Sequence, residues 1–85
     1  MYAVIWSEKA KRNLNKLDQV RKKKVIDKVE NDLAKDPYGR GDCLKGDLKG
    51  QWKFRFSEYR IIYKILQTKF IIEILDVGNR SNIYD

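Results

Sequence analysis

The spacing of apolar residues changes period once along the chain, and this change limits the architectures open to it. Ala10, Leu14 and Leu17, and then Val25, Ile26, Val29 and Leu33, recur at steps of three and four, the stripe of amphipathic helices. From Trp52 the step is two. Trp52, Phe54 and Phe56 alternate with Lys53 and Arg55, and Tyr59, Ile61, Tyr63 and Ile65 alternate with Arg60, Ile62 and Lys64. That alternation belongs to strands with one face buried. A chain whose first half has the helical period and whose second half has the strand period is expected to pack a helical layer on a sheet.

Local signals place the elements. Tyr2 to Trp6 is a short β-prone run. Ser7 is suited to cap the helix that follows, with Glu8 at the positive end of its dipole. Asp18-Gln19 breaks the helical pattern, and a second helix is predicted from about Val20 to Ala34, stopped by Asp36-Pro37. So short a link predicts a helical hairpin. Gly39, Gly41, Gly46 and Gly50 punctuate a loop-rich stretch, with Cys43 to Lys45 as a short strand. Phe70 to Val77 is apolar on both faces, which suits a central strand, and Gly78 is read as its end, followed by a polar tail to Asp85. The expected fold is α+β, a βααββββ single domain over residues 1–85. Its mostly antiparallel sheet carries an N-terminal helical hairpin on one face.

Composition narrows the chemistry. The chain has no histidine, so a His general base, a His metal ligand and Ser-His or Cys-His pairs are all excluded. Cys43 is the one cysteine, which points to a reducing compartment and a packing role. The apolar start, Met1 to Trp6, has no charged leader and is too short for a signal peptide or a membrane span, so a cytoplasmic protein is expected. With 19 Lys and Arg against 12 Asp and Glu, the net charge is +7, a balance that favours polyanionic partners.

Pairing the strands on either side of Ser57-Glu58 as a tight hairpin sets Phe56 opposite Tyr59, Phe54 opposite Ile61 and Trp52 opposite Tyr63, all on one face. Arg55 then falls opposite Arg60, with Lys53 on the same side. Like charges facing each other across a sheet are unfavourable by up to about 1 kcal/mol. A phosphate between them would turn repulsion into charge-assisted hydrogen bonding; arginines splayed into solvent would also fit the pattern. Arg21, Lys22, Lys23 and Lys24 cluster in the first turns of the second helix. They form either a solvated face or a second, non-catalytic grip on an RNA backbone.

Taken together, Leu44-Lys45-Gly46, Trp52-Lys53-Phe54-Arg55-Phe56, Tyr59-Arg60-Ile61-Ile62-Tyr63, Val77-Gly78-Asn79-Arg80 and Tyr84 resemble the RelE branch of the RelE/ParE toxin superfamily. The likeness covers essentially the whole chain. It implies the toxin of a type II toxin–antitoxin system, an endoribonuclease that cuts messenger RNA in the ribosomal decoding site by attack of the RNA's own 2′-hydroxyl on the adjacent phosphate. By the same resemblance, Arg60 would bind the scissile phosphate, with Lys53 and Arg55 flanking it. Arg80 would stabilise the leaving oxygen, Tyr84 would stack on or orient a base, and Lys45 would be an auxiliary phosphate contact. No metal and no small-molecule cofactor would be needed. The implied partners are a RelB-like antitoxin and the ribosome with its message, and no membrane.

Two departures stand out. Arg55 replaces a second lysine, and an arginine cannot serve as a base, so that role would fall to Lys53 or Tyr84, or to orientation and charge alone. The sequence also stops at Asp85, without the terminal helix some relatives carry. The competing readings are a ParE-like gyrase inhibitor and a non-catalytic RNA- or ribosome-binding module. Residue by residue, Tyr84 would otherwise be a packing aromatic, and Arg80 would otherwise pair with Asp76 or Asp85.

Overall fold

The computed structural model describes residues 1–79. Strand β1 (Ala3–Trp6) leads into helices α1 (Glu8–Asn15) and α2 (Gln19–Asn31), then a short helix α3 (Pro37–Arg40) and the two-residue strand β2 (Asp42–Cys43). Strands β3 (Trp52–Phe56), β4 (Tyr59–Leu66) and β5 (Ile71–Asn79) follow. The strands form one sheet in the order β1-β5-β4-β3-β2. β1 runs parallel to β5, and the other pairings are antiparallel.

Both long helices begin where a side chain satisfies an orphaned backbone donor. Ser7 Oγ accepts from the Ala10 amide at 3.1 Å, and Asp18 Oδ1 accepts from the Arg21 amide at 2.8 Å. Asp18 is therefore a cap as well as a break. α2 ends at Asn31, earlier than the apolar stripe suggests, because Leu33–Lys35 tighten into a 3₁₀ turn that still buries Leu33 and Ala34. Pro37 stops that turn, as expected, but it also starts α3. Asp36 leaves the helical region, and its carboxylate caps α3 through the Gly39 amide at 3.0 Å. The short strand after α3 is Asp42–Cys43, one residue ahead of its expected place. Phe70 lies outside β5: it closes a 3₁₀ turn at Gln67–Lys69 in the left-handed region, φ 53°, with its ring 63% exposed and 5.6 Å from that of Tyr2.

The helical layer covers one face of the sheet. Ala10, Leu14, Val25, Val29 and Leu33 meet Phe54, Tyr59, Ile61, Tyr63, Ile72, Ile74 and Val77 in one core. Tyr63 lies at its centre, fully buried, and its hydroxyl donates to the Pro37 carbonyl at 2.6 Å. Burial, with help from Asp42 and Asp36, holds this hydroxyl well above the ordinary tyrosine range. Tyr63→Phe strands a buried carbonyl and is expected to cost about 1–2 kcal/mol at neutral pH. Because the folded state resists ionising Tyr63, its stability contribution is complete below about pH 10 and is lost as pH rises further. Denaturant melts above pH 10 should therefore show a flatter pH dependence in Tyr63→Phe than in the wild type.

Candidate nucleic-acid interface

The β3–β4 hairpin closes in the expected register, with Phe56 opposite Tyr59, Phe54 opposite Ile61 and Trp52 opposite Tyr63. Ser57 makes the two-residue turn by taking φ 51°. Arg55 faces Arg60, and Lys53 faces Ile62 on one side and Asp42 on the other. These cations lie on the face turned away from the helices. Arg55 is exposed and Lys53 half-buried, but Arg60 is only 5% exposed. Taking a guanidinium out of water costs several kcal/mol unless an anion or hydrogen bonds compensate. Arg60 is therefore not the solvated strand arginine that alternation alone allows.

On its other flank Arg60 faces Gly78 of β5. A glycine there means that β5 brings no side chain to that flank of Arg60. β5 does not end at Gly78; it continues through Gly78 to Asn79, whose amide donates to Glu58 at 3.2 Å across the end of the hairpin. A glycine inside a strand often marks close approach of a ligand or a bulge, and that is the signal the sequence offers. The register does shift between Ile62 and Tyr63, leaving Leu75 as an extra residue in β5.

The other expected contacts are placed apart. Lys45 is exposed on the loop entering β3, at the Lys53 end of the row. Arg21, Lys22, Lys23 and Lys24 occupy the first turns of α2, on the helical side of the sheet. Arg21 Nε lies 3.8 Å from Asp18, and Lys22 donates to Asn15 at 2.6 Å. This turn borders Tyr59, the neighbour of Arg60. Burial raises the Tyr59 hydroxyl above its usual range, Glu58 adds to the rise and Arg21 opposes it. The α2 cations thus lie at the hairpin end of the sheet but behind it. Asp76 is bound to Asn13 and Lys9 of α1. Arg80 and Tyr84 lie outside the described residues.

Comparison with known proteins sets this α+β chain in a class, the small toxins of toxin–antitoxin systems. The chain matches the crystal structure of the toxin–antitoxin complex RelBE2 from Mycobacterium tuberculosis with a TM-score of 0.89 and 30% identity, over 93% of this chain and 98% of that one. The isolated RelE toxin of E. coli shares the fold, with a TM-score of 0.76 at 21% identity over 93% of this chain and 84% of that one. A family model described as "ParE toxin of type II toxin-antitoxin system, parDE" matches residues 4–84. Toxin RelG of M. tuberculosis is 31% identical over 83 residues, 98% of this chain and 95% of RelG. Toxin RelE of the same organism is 29% identical over 98% of this chain and 86% of its own length. The chain belongs to the RelE/ParE superfamily and is the toxin of a type II toxin–antitoxin system.

Proposed function

We propose that this toxin is a metal-independent endoribonuclease that cleaves messenger RNA in the decoding site of the ribosome. The observation that carries the reading is the buried Arg60, faced by Arg55 on one strand and by Gly78 on the other. A pre-placed, desolvated guanidinium is suited to a phosphate whose negative charge grows in the transition state. Arg60 grips two phosphate oxygens with its planar fork. Arg55 and Lys53 neutralise the remaining charge along the same row. Arg80 steadies the leaving 5′-oxygen, and Tyr84 orients a base. Arg55 cannot accept a proton, so Lys53 or Tyr84 takes the proton from the 2′-hydroxyl, or the ribosome supplies an in-line geometry that makes a strong base unnecessary. Lys45 adds a peripheral phosphate contact.

The partners follow from charge and likeness. The solved relatives include complexes of toxin with antitoxin, and a chain of net charge +7 suits an acidic antitoxin. Arg21, Lys22, Lys23 and Lys24 touch RNA backbone away from the cut. Changing all four to Ala should leave the position of cleavage unchanged and make log K for ribosome binding less steep against log salt, by roughly 0.7–0.9 for each phosphate no longer neutralised. An unaltered slope would remove the quartet from the interface. The work is done where ribosomes are, in the cytoplasm. Among the described residues no helix is long and apolar enough to cross a membrane.

The test is primer-extension mapping of a message on programmed ribosomes with purified toxin and a chelator. Cuts confined to the decoding site that survive chelation support the proposal, and strong cutting of free RNA would contradict the ribosome's role in it. Ribosome binding without cuts would favour a non-catalytic module. Absence of both would direct the next assay to gyrase, the reading that the family model's ParE description keeps in view.

A further inference from the structure

The β4–β5 ladder holds a choice of register. From Leu66↔Ile71 to Ile65↔Ile72 and Tyr63↔Ile74 the ladder is regular, and after Leu75 it resumes as Ile62↔Asp76, Ile61↔Val77 and Arg60↔Gly78. Without the bulge, the first register would continue and set Asp76 opposite Ile61 and Val77 opposite Arg60. A one-residue slip exchanges the faces of every side chain beyond it. In that regular ladder a carboxylate would enter the core beside the fully buried Ile61, at a cost of several kcal/mol, and a valine would fill the flank of Arg60.

The bulged ladder avoids both outcomes, and α1 holds it in place. Asp76 Oδ1 accepts from Asn13 Nδ2 at 2.7 Å and from the Val77 amide at 2.9 Å, and its Oδ2 lies 3.3 Å from Lys9 Nζ. Ser7 Oγ, the cap of α1, donates to the Leu75 carbonyl at 3.1 Å, and the Ser7 amide donates to Ile74. Val77, displaced by one position, is buried at 3% exposure against Ile61. An aspartate in the most apolar strand of the sheet thus has a defined job, tying β5 to α1 at the bulge.

We propose that Asp76 is a positioning residue that locks the register: it forbids the regular β4–β5 ladder, so that Gly78 and not Val77 lies opposite Arg60, the guanidinium that meets the phosphodiester. The lock is a property of the free protein. The phosphodiester part rests on the ribonuclease reading above.

Two variants test it. Asp76→Val makes the regular ladder acceptable, since a valine at 76 can replace Val77 in the core. Gly78→Val leaves the lock alone and places a side chain directly on the flank of Arg60. Cross-strand NMR contacts on the free protein report the register. Wild type, Asp76→Asn and Gly78→Val should link residue 60 to residue 78, and Asp76→Val should link Arg60 to Val77 while keeping a cooperative thermal melt. On programmed ribosomes, Asp76→Asn should cleave within about threefold of wild type. Asp76→Val and Gly78→Val should each lose about 10²-fold or more in cleavage rate at saturation, with ribosome affinity little changed, as for a displaced reacting group. An Arg60–Gly78 link that persists in Asp76→Val overturns the lock. If Asp76→Val does not fold, Gly78→Val still decides the second half, since full activity with a valine at 78 overturns the need for a glycine opposite Arg60. Wild-type protein that shows the register contacts but never cuts RNA would refute the ribonuclease reading and leave the lock standing.

Discussion

Arg60→Ala should lower cleavage of message on programmed ribosomes by about 10²–10³-fold, the usual loss when one fixed donor to a developing oxyanion is removed. Burial is the physical reason. Arg60 is held out of water on the face turned away from the described helices, and Arg55 opposes it across the hairpin. In that low-dielectric setting the attraction between a guanidinium and a phosphate strengthens with the charge of the transition state. Ribosome affinity should change little, because it is spread over many exposed cations. Arg60→Lys keeps the charge but loses the planar fork, and its cleavage rate should lie closer to that of Ala than to wild type. The lysine variant also controls for folding, since it fills most of the same volume. If Arg60→Ala cut within about threefold of wild type, Arg60 would be a structural cation and the proposed chemistry would fail.

Gly41→Ala should be strongly destabilising. Gly41 has φ −120°, an extended conformation open to any residue, so the requirement is one of space. A Cβ at Gly41 would lie 2.7 Å from the Lys53 carbonyl oxygen and 2.9 Å from Tyr63 Cζ, and would collide with the Tyr63 hydroxyl. Lys53 O is backbone in β3, and Tyr63 is pinned by its bond to Pro37. Neither neighbour yields cheaply. Overpacking together with loss of that buried hydrogen bond should cost about 2–4 kcal/mol, a fall of about 10–25 °C in Tm for a domain of this size. Combining Gly41→Ala with Tyr63→Phe, which removes the colliding oxygen, should give a loss smaller than the sum of the two. Strict additivity would mean that the methyl group is accommodated by moving β2 away.

The hairpin register, and with it the Arg55–Arg60 pair, is legible in the sequence because one buried face admits one pairing of Trp52, Phe54 and Phe56 with Tyr63, Ile61 and Tyr59. The cap at Ser7 and the burial of the helical stripes are legible for a related reason, since each depends on residues close in sequence, whereas Asp18 reads there only as a break and its capping is seen in the structure. Gly78 is different. A local rule treats glycine as punctuation and ends the strand there. Its place inside β5 is set by a bulge, and the bulge depends on Asp76 meeting Asn13, 63 residues away. Likewise, Pro37 marks the end of one helix to any local rule, whereas its use as the start of α3 depends on Asp36 turning back to the Gly39 amide. The burial of Arg60 has no sequence signal, since alternation places an arginine on a face without saying how much water reaches it.

The parallel pairing of β1 with β5 joins Ala3 to Ile71 and Trp6 to Ile74. Until β5 is present, β1 has no neighbour in the sheet, the bulge has no strand to form in and Arg60 has no Gly78 beside it. Such long-range closure makes folding slow relative to helical proteins of similar size. During synthesis it also imposes an order. While β5 is still inside the ribosome that makes it, Arg60 has no Gly78 beside it, and under the ribonuclease reading proposed above a nascent toxin is not yet able to attack the message from which it is being translated.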